Sequence, residues 1–462
     1  MLPTPHRRAG VRVPTPPERE PVLSHFSRNP SSYSVPRGAH GGTAMATTQA
    51  DRIGSLDTVR GVAVLGILLM NIVAFAMPDA AYINPKAYGG HQGIDLAVYL
   101  VNFVLFDGKM RGLFSFLFGA SMLLVIDRAA AKDESPARVH FARMAWLFAF
   151  GIAHLLLLWW GDILNQYAVI GAIAYTCRNA GVRALVTRGL VLVGVAWLVY
   201  AIMPLGILAM QAGIHDPDPA KAAENAQSLR AFIDSMGVPS PAHIQQELAL
   251  HRGSWSGLVA HRWGELTHSL SATLFVGAET LGYMLLGMAA LRSGMLTGAW
   301  PRARYCRWML VGFGIGIPGY ALLAAWLVSR DFELLAVATA TMAFATPLRV
   351  PMILGWACLI LLLARPGGGL GERIAAAGRM AFTNYLTTSI VMTTIFYGYG
   401  LGWYGTLSRA ALYPIVLAMW GAMLLWSPAW LSRFRYGPFE WLWRSLARLE
   451  LQPMRKTAAL PG

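Results

Sequence analysis

The sequence predicts an all-α integral membrane protein, a polytopic bundle of about ten transmembrane helices with both termini cytoplasmic. Three observations lead there. The 462 residues are 55% hydrophobic and only 13% charged, against roughly 25% charged in soluble domains. Apolar stretches of about 20 residues recur, the length a helix needs to cross a bilayer in which its backbone must bond to itself. The arginines gather in alternate linkers, as they do in loops held on the cytoplasmic side. The net charge of +15 is therefore a topology signal and a complement to anionic lipid. The partner it implies is a lipid bilayer and not nucleic acid. Cys177, Cys306 and Cys358 have no paired or metal-ligand spacing.

Residues 1–44 hold eight prolines, six arginines and no apolar run, so a disordered basic leader is expected. Translation starting at Met45 is the favoured reading, with a genuine cytoplasmic arm as its competitor. The membrane part divides into an N-terminal half, 45–210, and a C-terminal half, 269–430. An extracytoplasmic helical loop, 211–268, separates them, and a cytoplasmic amphipathic tail, 431–462, follows. Spans are expected near 57–77, 143–160, 163–178, 187–210, 270–291, 306–329, 380–399 and 409–427. Two longer stretches carry a polar break. Asp107-Gly-Lys109-Met-Arg111 interrupts 94–126, and Pro347-Leu-Arg349-Val-Pro351 interrupts 334–364. The basic linkers 127–143, 178–188, 292–307 and 365–379 and the tail share one side only if each long stretch crosses once. The pieces 94–106 and 334–345 then become interfacial or re-entrant segments on the outer side. Helices are expected at 220–236 and 241–252 within the loop. Its histidines (His215, His243, His251, His261, His268) lack metal spacing and are expected to be ordinary surface groups.

Ionisable residues inside spans are costly and therefore mark candidate sites. Asp57 and Arg60 stand i, i+3 at the entry of the first span and can pair. His154 and Asp162 belong to the third span. A helix through both would separate them by about 12 Å along the axis, with directions compatible with one cavity. Histidine is the side chain best able to move protons at neutral pH, so this pair is the candidate catalytic acid–base unit. Glu279, midway along the sixth span, needs a partner, and Arg349 is an attractive one. Asn71, Asn84, Lys109, Arg111, Asn384 and Tyr385 complete the candidate substrate-binding set. For Asn384 and Tyr385, hydrogen bonding between helices is the blander alternative. No phosphate-binding G-x-x-x-x-G-K-[ST] loop is present.

The motifs resemble a known family. Arg52-Ile-Gly-Ser-Leu-Asp57-Thr-Val-Arg60-Gly, Asn84-Pro85, Lys109-Met-Arg-Gly-Leu-Phe114-Ser115, Gly161-Asp162, Arg379-Met-Ala-Phe-Thr383-Asn384-Tyr385 and Gly437-Pro438-Phe-Glu440 are similar to the YeiB-like bacterial inner-membrane proteins, catalogued as domain of unknown function 418. The similarity runs in order from about residue 50 to 450. It implies location and architecture more than activity. Leu56-Asp57-x-x-Arg60-Gly is more distantly similar to the start of multi-span acyltransferases that modify envelope sugars, including the group that acetylates glucosamine ends of heparan sulfate. That likeness implies an acyl-CoA donor on the cytoplasmic side, with no tightly bound cofactor, and an envelope glycan or lipid as acceptor. The sugar O-acyltransferases place a His late in the first span, where this chain has Asn71, which cannot act as a base. Two readings follow: an acyltransferase in which His154 deprotonates the acceptor, Asp162 orients it and Arg60 meets the donor's phosphates, or a transporter of a small molecule or lipid. A membrane scaffold without turnover is the third.

Overall fold

A computed structural model describes residues 49–364 and 369–456; the basic leader lies outside the described residues. The described chain, within the unit Thr47–Gly462, is built of helices joined by turns and loops. In order come α1 Gln49–Ala76, α2 Ala80–Ile83, α3 Gly93–Leu105, α4 Lys109–Ala130, α5 Pro136–Leu157, α6 Leu164–Ala174 and α7 Val182–Gly213. Then follow α8 Pro219–Met236, α9 Pro241–His251, α10 Trp255–Gly264, α11 Leu266–Arg292 and α12 Arg302–Ser329. The remainder is α13 Leu334–Ala338, α14 Ala345–Leu363, α15 Gly369–Arg379, α16 Ala381–Phe396, α17 Tyr413–Arg433 and α18 Pro438–Arg448.

Eight helical stretches among the described residues are long and apolar enough to cross a membrane. The outer faces of α7 and α12 carry large apolar side chains in the open, such as Leu190, Ile202, Leu205, Leu310 and Leu322. Only a hydrocarbon solvent makes that many exposed apolar groups favourable, and the chain is a helical membrane protein. Two shorter helices, α6 and α16, of 11 and 16 residues, have mostly buried side chains.

The first polar break falls where expected. α3 ends at Leu105, and Gly108 turns the chain with φ 70° before α4 starts at Lys109. Lys109 is fully buried at this joint. Its ammonium donates to the Phe103 carbonyl and lies over the Tyr320 ring.

Several boundaries depart from expectation. The third span does not continue to Asp162: α5 stops at Leu157, because the Leu158 and Trp159 amides both bond the His154 carbonyl and the chain turns. The stretch 334–364 has no break at Pro347–Pro351. The helix runs through, widened to a π turn over Thr339–Phe344. The prolines remove amide donors, and side chains supply others. Trp197 Nε1 donates to Ala343 O at 2.8 Å, Tyr320 Oη to Ala345 O at 3.1 Å and Arg349 Nη2 to Thr341 O at 2.9 Å. That last bond turns Arg349 into the bundle.

The described part of the basic linker 365–379 is the helix α15, laid along α1 so closely that a Cβ on Gly378 would collide with the Asp57 carbonyl. Gly378→Ala is expected to destabilise the protein by about 1–3 kcal/mol, read as a lower melting temperature in detergent; an unchanged melt would mean that the two helices do not meet here. In the loop, the helices at 220–236 and 241–252 form as α8 and α9, and α10 was not anticipated. His215, His261 and His268 are exposed, but His251 is not a surface group. It is buried, stacked on Tyr404 at 4.2 Å, and burial holds it down to about 4.

Candidate functional site

The turn that ends α5 positions an acid. Asp162 Oδ2 accepts bonds from the Asn165 amide and from Asn165 Nδ2, both at 2.9 Å, so the carboxylate is fixed at the start of α6. Its Oδ1 lies 2.9 Å from His154 Nδ1, and the two side chains are 0% and 1% exposed. The other ring nitrogen, Nε2, lies 2.8 Å from Ser389 Oγ in the middle of α16. The Nδ1–Oδ1 contact has the distance of an ion pair without the alignment of a hydrogen bond, and Ser389 Oγ also donates to the Tyr385 carbonyl at 3.4 Å. The three groups stand in a carboxylate–imidazole–hydroxyl relay, the order in which a base can raise the nucleophilicity of a serine. Tyr385, one turn before Ser389, rests on the His154 ring with centroids 5.2 Å apart. A cavity of about 10 Å³ adjoins the serine, lined by Asn71, Phe75, Trp159, Tyr385, Thr388 and Ser389.

On the other side of Tyr385 lies a cavity of about 740 Å³. Its walls are apolar, among them Phe114, Leu117, Phe118, Met122, Leu147 and Phe382, and its rim is basic, with Arg60, Arg128, Arg143, Arg379 and Arg444. Arg60 is held by Asp57 at 2.8 Å and by the Ser121 hydroxyl at 2.8 Å. Glu440 on α18 closes one wall. It accepts from the Phe382 and Thr383 amides at 2.7 and 3.0 Å and from Thr383 Oγ1 at 2.5 Å, and so caps α16. Burial pushes this carboxyl up, against the hydrogen bonds that favour its charged form, and burial pulls the Arg444 guanidinium down.

The remaining candidates form two groups. Glu279 is fully buried and accepts from Arg111 at 2.6 Å, Arg349 at 2.8 Å, Tyr283 at 2.7 Å and Tyr200 at 3.4 Å. The expected Glu279–Arg349 pair therefore exists, with Arg111 as a second partner that the sequence did not single out for it. A cavity of about 140 Å³ opens beside these arginines. Asn84 and Asn384 have their hydrogen bonds within the fold. Asn84 donates to Met236 O and Phe332 O at 3.2 and 3.0 Å; Asn384 donates to Ala377 O and Ser427 Oγ and accepts from Trp426 Nε1 at 2.7 Å. Among the described residues, no group of three or more His, Cys, Asp or Glu could hold a metal.

Ser389 was missed by sequence reasoning. A lone serine in an apolar span carries no signal, and its partner lies 235 positions away. The nearest hint is the polar recurrence Thr383, Asn384, Thr388, Ser389, Thr393 on a short helix.

Comparisons with known proteins cover most of the chain. Residues 290–450 match the family described as "Protein of unknown function (DUF418)". The chain is 33% identical over 404 residues to "Uncharacterized protein YeiB" of Escherichia coli (strain K12), covering 85% of this chain and 95% of that protein. It is 30% identical over 431 residues to "Uncharacterized protein YxaH" of Bacillus subtilis (strain 168), covering 89% and 98%. No solved structure matches it.

Proposed function

The chain belongs to the DUF418, YeiB-like family, and on that footing we propose that it is a ten-span protein of the bacterial inner membrane that transfers an acyl group. The donor is a cytoplasmic thioester and the acceptor is a hydroxyl or amine of an envelope glycan or lipid. The observation that carries this reading is the buried Asp162–His154–Ser389 relay beside the arginine-rimmed cavity. Counting α6 and α16 with the eight longer stretches gives ten crossings, and the arginine-rich end then faces the cytoplasm with both termini.

The large cavity fits a phosphate-bearing amphiphile: guanidiniums at the rim pair with phosphates, and the apolar interior accepts the rest. An acyl-CoA would supply an activated carbonyl there, with Arg60 among the residues that hold its phosphates; Tyr385 stands between this cavity and Ser389, so its ring would have to turn aside for the carbonyl to reach the hydroxyl. In the first step Ser389 Oγ forms a bond to the acyl carbon as its proton passes to His154 Nε2; the C–S bond breaks and the departing thiolate takes that proton. In the second, the acceptor hydroxyl or amine gives its proton to His154 and attacks the acyl-serine, and the proton returns to Ser389 Oγ. Asp162 stays ionised and balances the imidazolium in both. Asn71, on the wall of the small cavity, offers an amide donor to the developing oxyanion.

The test is incubation of membranes containing or lacking this chain with a labelled acyl-thioester. Label appearing on envelope material only where the chain is present is the expected result. No label above the membranes that lack it would remove the enzyme reading and favour the transporter.

A further inference from the structure

The 140 Å³ cavity lies between α3, α4 and the π-turn region, on the far side of α1 from the serine relay. Its space corresponds to about five water molecules at roughly 30 Å³ each. Its wall holds buried polar atoms that no protein group satisfies. Arg409 is 2% exposed; its Nη2 donates to Ala81 O and Tyr88 O at 2.8 and 3.2 Å, yet its Nε has no acceptor. Arg349 Nε has none either, although the rest of its guanidinium is bound to Glu279 and Thr341. Gly108 leaves the room around that nitrogen, since a Cβ there would stand 2.9 Å from it. Asn102 Oδ1 on the same wall lacks a donor.

Around the cavity Arg111, Arg349 and Arg409 stand among Glu279, Asp107, which accepts from Tyr82 at 2.9 Å, and Asp95, which accepts from the Ala410 amide at 2.7 Å. Each buried N–H left without an acceptor is costly.

We propose that this cavity binds a small carboxylate that also carries a hydroxyl or ammonium group. The carboxylate would accept from Arg409 Nε and Arg349 Nε, and the hydroxyl or ammonium would donate to Asn102 Oδ1. The ligand is limited by volume to a few non-hydrogen atoms and excludes an acyl chain. The proposal does not rest on acyl transfer, since the relay and this cavity occupy different faces of α1.

The full chain in lipid nanodiscs is titrated calorimetrically with lactate and with serine, and in parallel with propylene glycol. Saturable binding of lactate or serine, with none of propylene glycol, is expected. Asn102→Leu, which keeps the approximate size of the side chain while removing the amide oxygen, should weaken that binding by about tenfold. Its melting temperature without ligand shows whether it folds, and the wild-type comparison decides even if it does not. No saturable binding of lactate or serine, equal binding of propylene glycol, or unchanged affinity in a folded Asn102→Leu would each overturn the proposal.

Discussion

Replacing Glu279 with alanine is expected to cost about 3–5 kcal/mol of stability, because it leaves two buried guanidiniums without their counter-charge. Arg111 and Arg349 reach the carboxylate from α4 and α14, so Glu279 ties α11 to both. Arg349 is further committed to the open carbonyl of Thr341 in the π turn, and it cannot swing out to water without exposing that group. Tyr283 and Tyr200 also lose their acceptor. Glu279→Gln keeps the shape and loses the charge, and should be milder. Combining Glu279→Ala with Arg349→Met should recover part of the loss, since removing one of the two stranded charges is better than stranding both. Melting of the purified variants in detergent measures this; a Glu279→Ala protein as stable as wild type would mean that the cluster is hydrated or does not form.

His154→Ala is expected to lower acyl transfer by about 10²–10⁴-fold, the usual contribution of a positioned general base. The imidazole is the sole link between Asp162 and Ser389 in the relay, so its removal leaves an ordinary alcohol in an apolar setting. Asp162→Asn should act in the same direction by letting the ring adopt the wrong tautomer. Both variants must be compared at equal amounts of folded protein, because Asp162 also holds the start of α6 through Asn165. A folded His154→Ala protein with full transfer would remove the base from the mechanism while leaving the class of reaction open.

Much of this architecture is legible in the sequence where burial of charge forces an answer. A glutamate in the middle of a span must meet a cation, and the arginine of a broken stretch was the natural choice. Asp57 and Arg60 at helical spacing pair as written, and the Asp107–Arg111 break is real because Gly108 adopts a conformation that side chains disfavour. Legibility fails where the determinant is a carbonyl or a turn. Nothing in Trp159-Trp160-Gly161-Asp162 says that the helix has already ended, so His154 and Asp162 meet by folding back and not across one helix face. The π turn is held in part by Trp197, from another helix, donating to its Ala343 carbonyl, which no local pattern reveals. Arg409 drew no notice in a stretch read as the start of a span, although it is among the largest fully buried side chains.

The account turns on Ser389 carrying the acyl group. Wild-type protein incubated with an isotopically labelled acyl-thioester, with no acceptor added, is digested and its peptides are weighed. The expected result is one labelled acyl group on the peptide containing Ser389, absent from Ser389→Ala and strongly diminished in His154→Ala. Transfer to acceptor that proceeds in Ser389→Ala, with no label on that peptide in wild type, would contradict it.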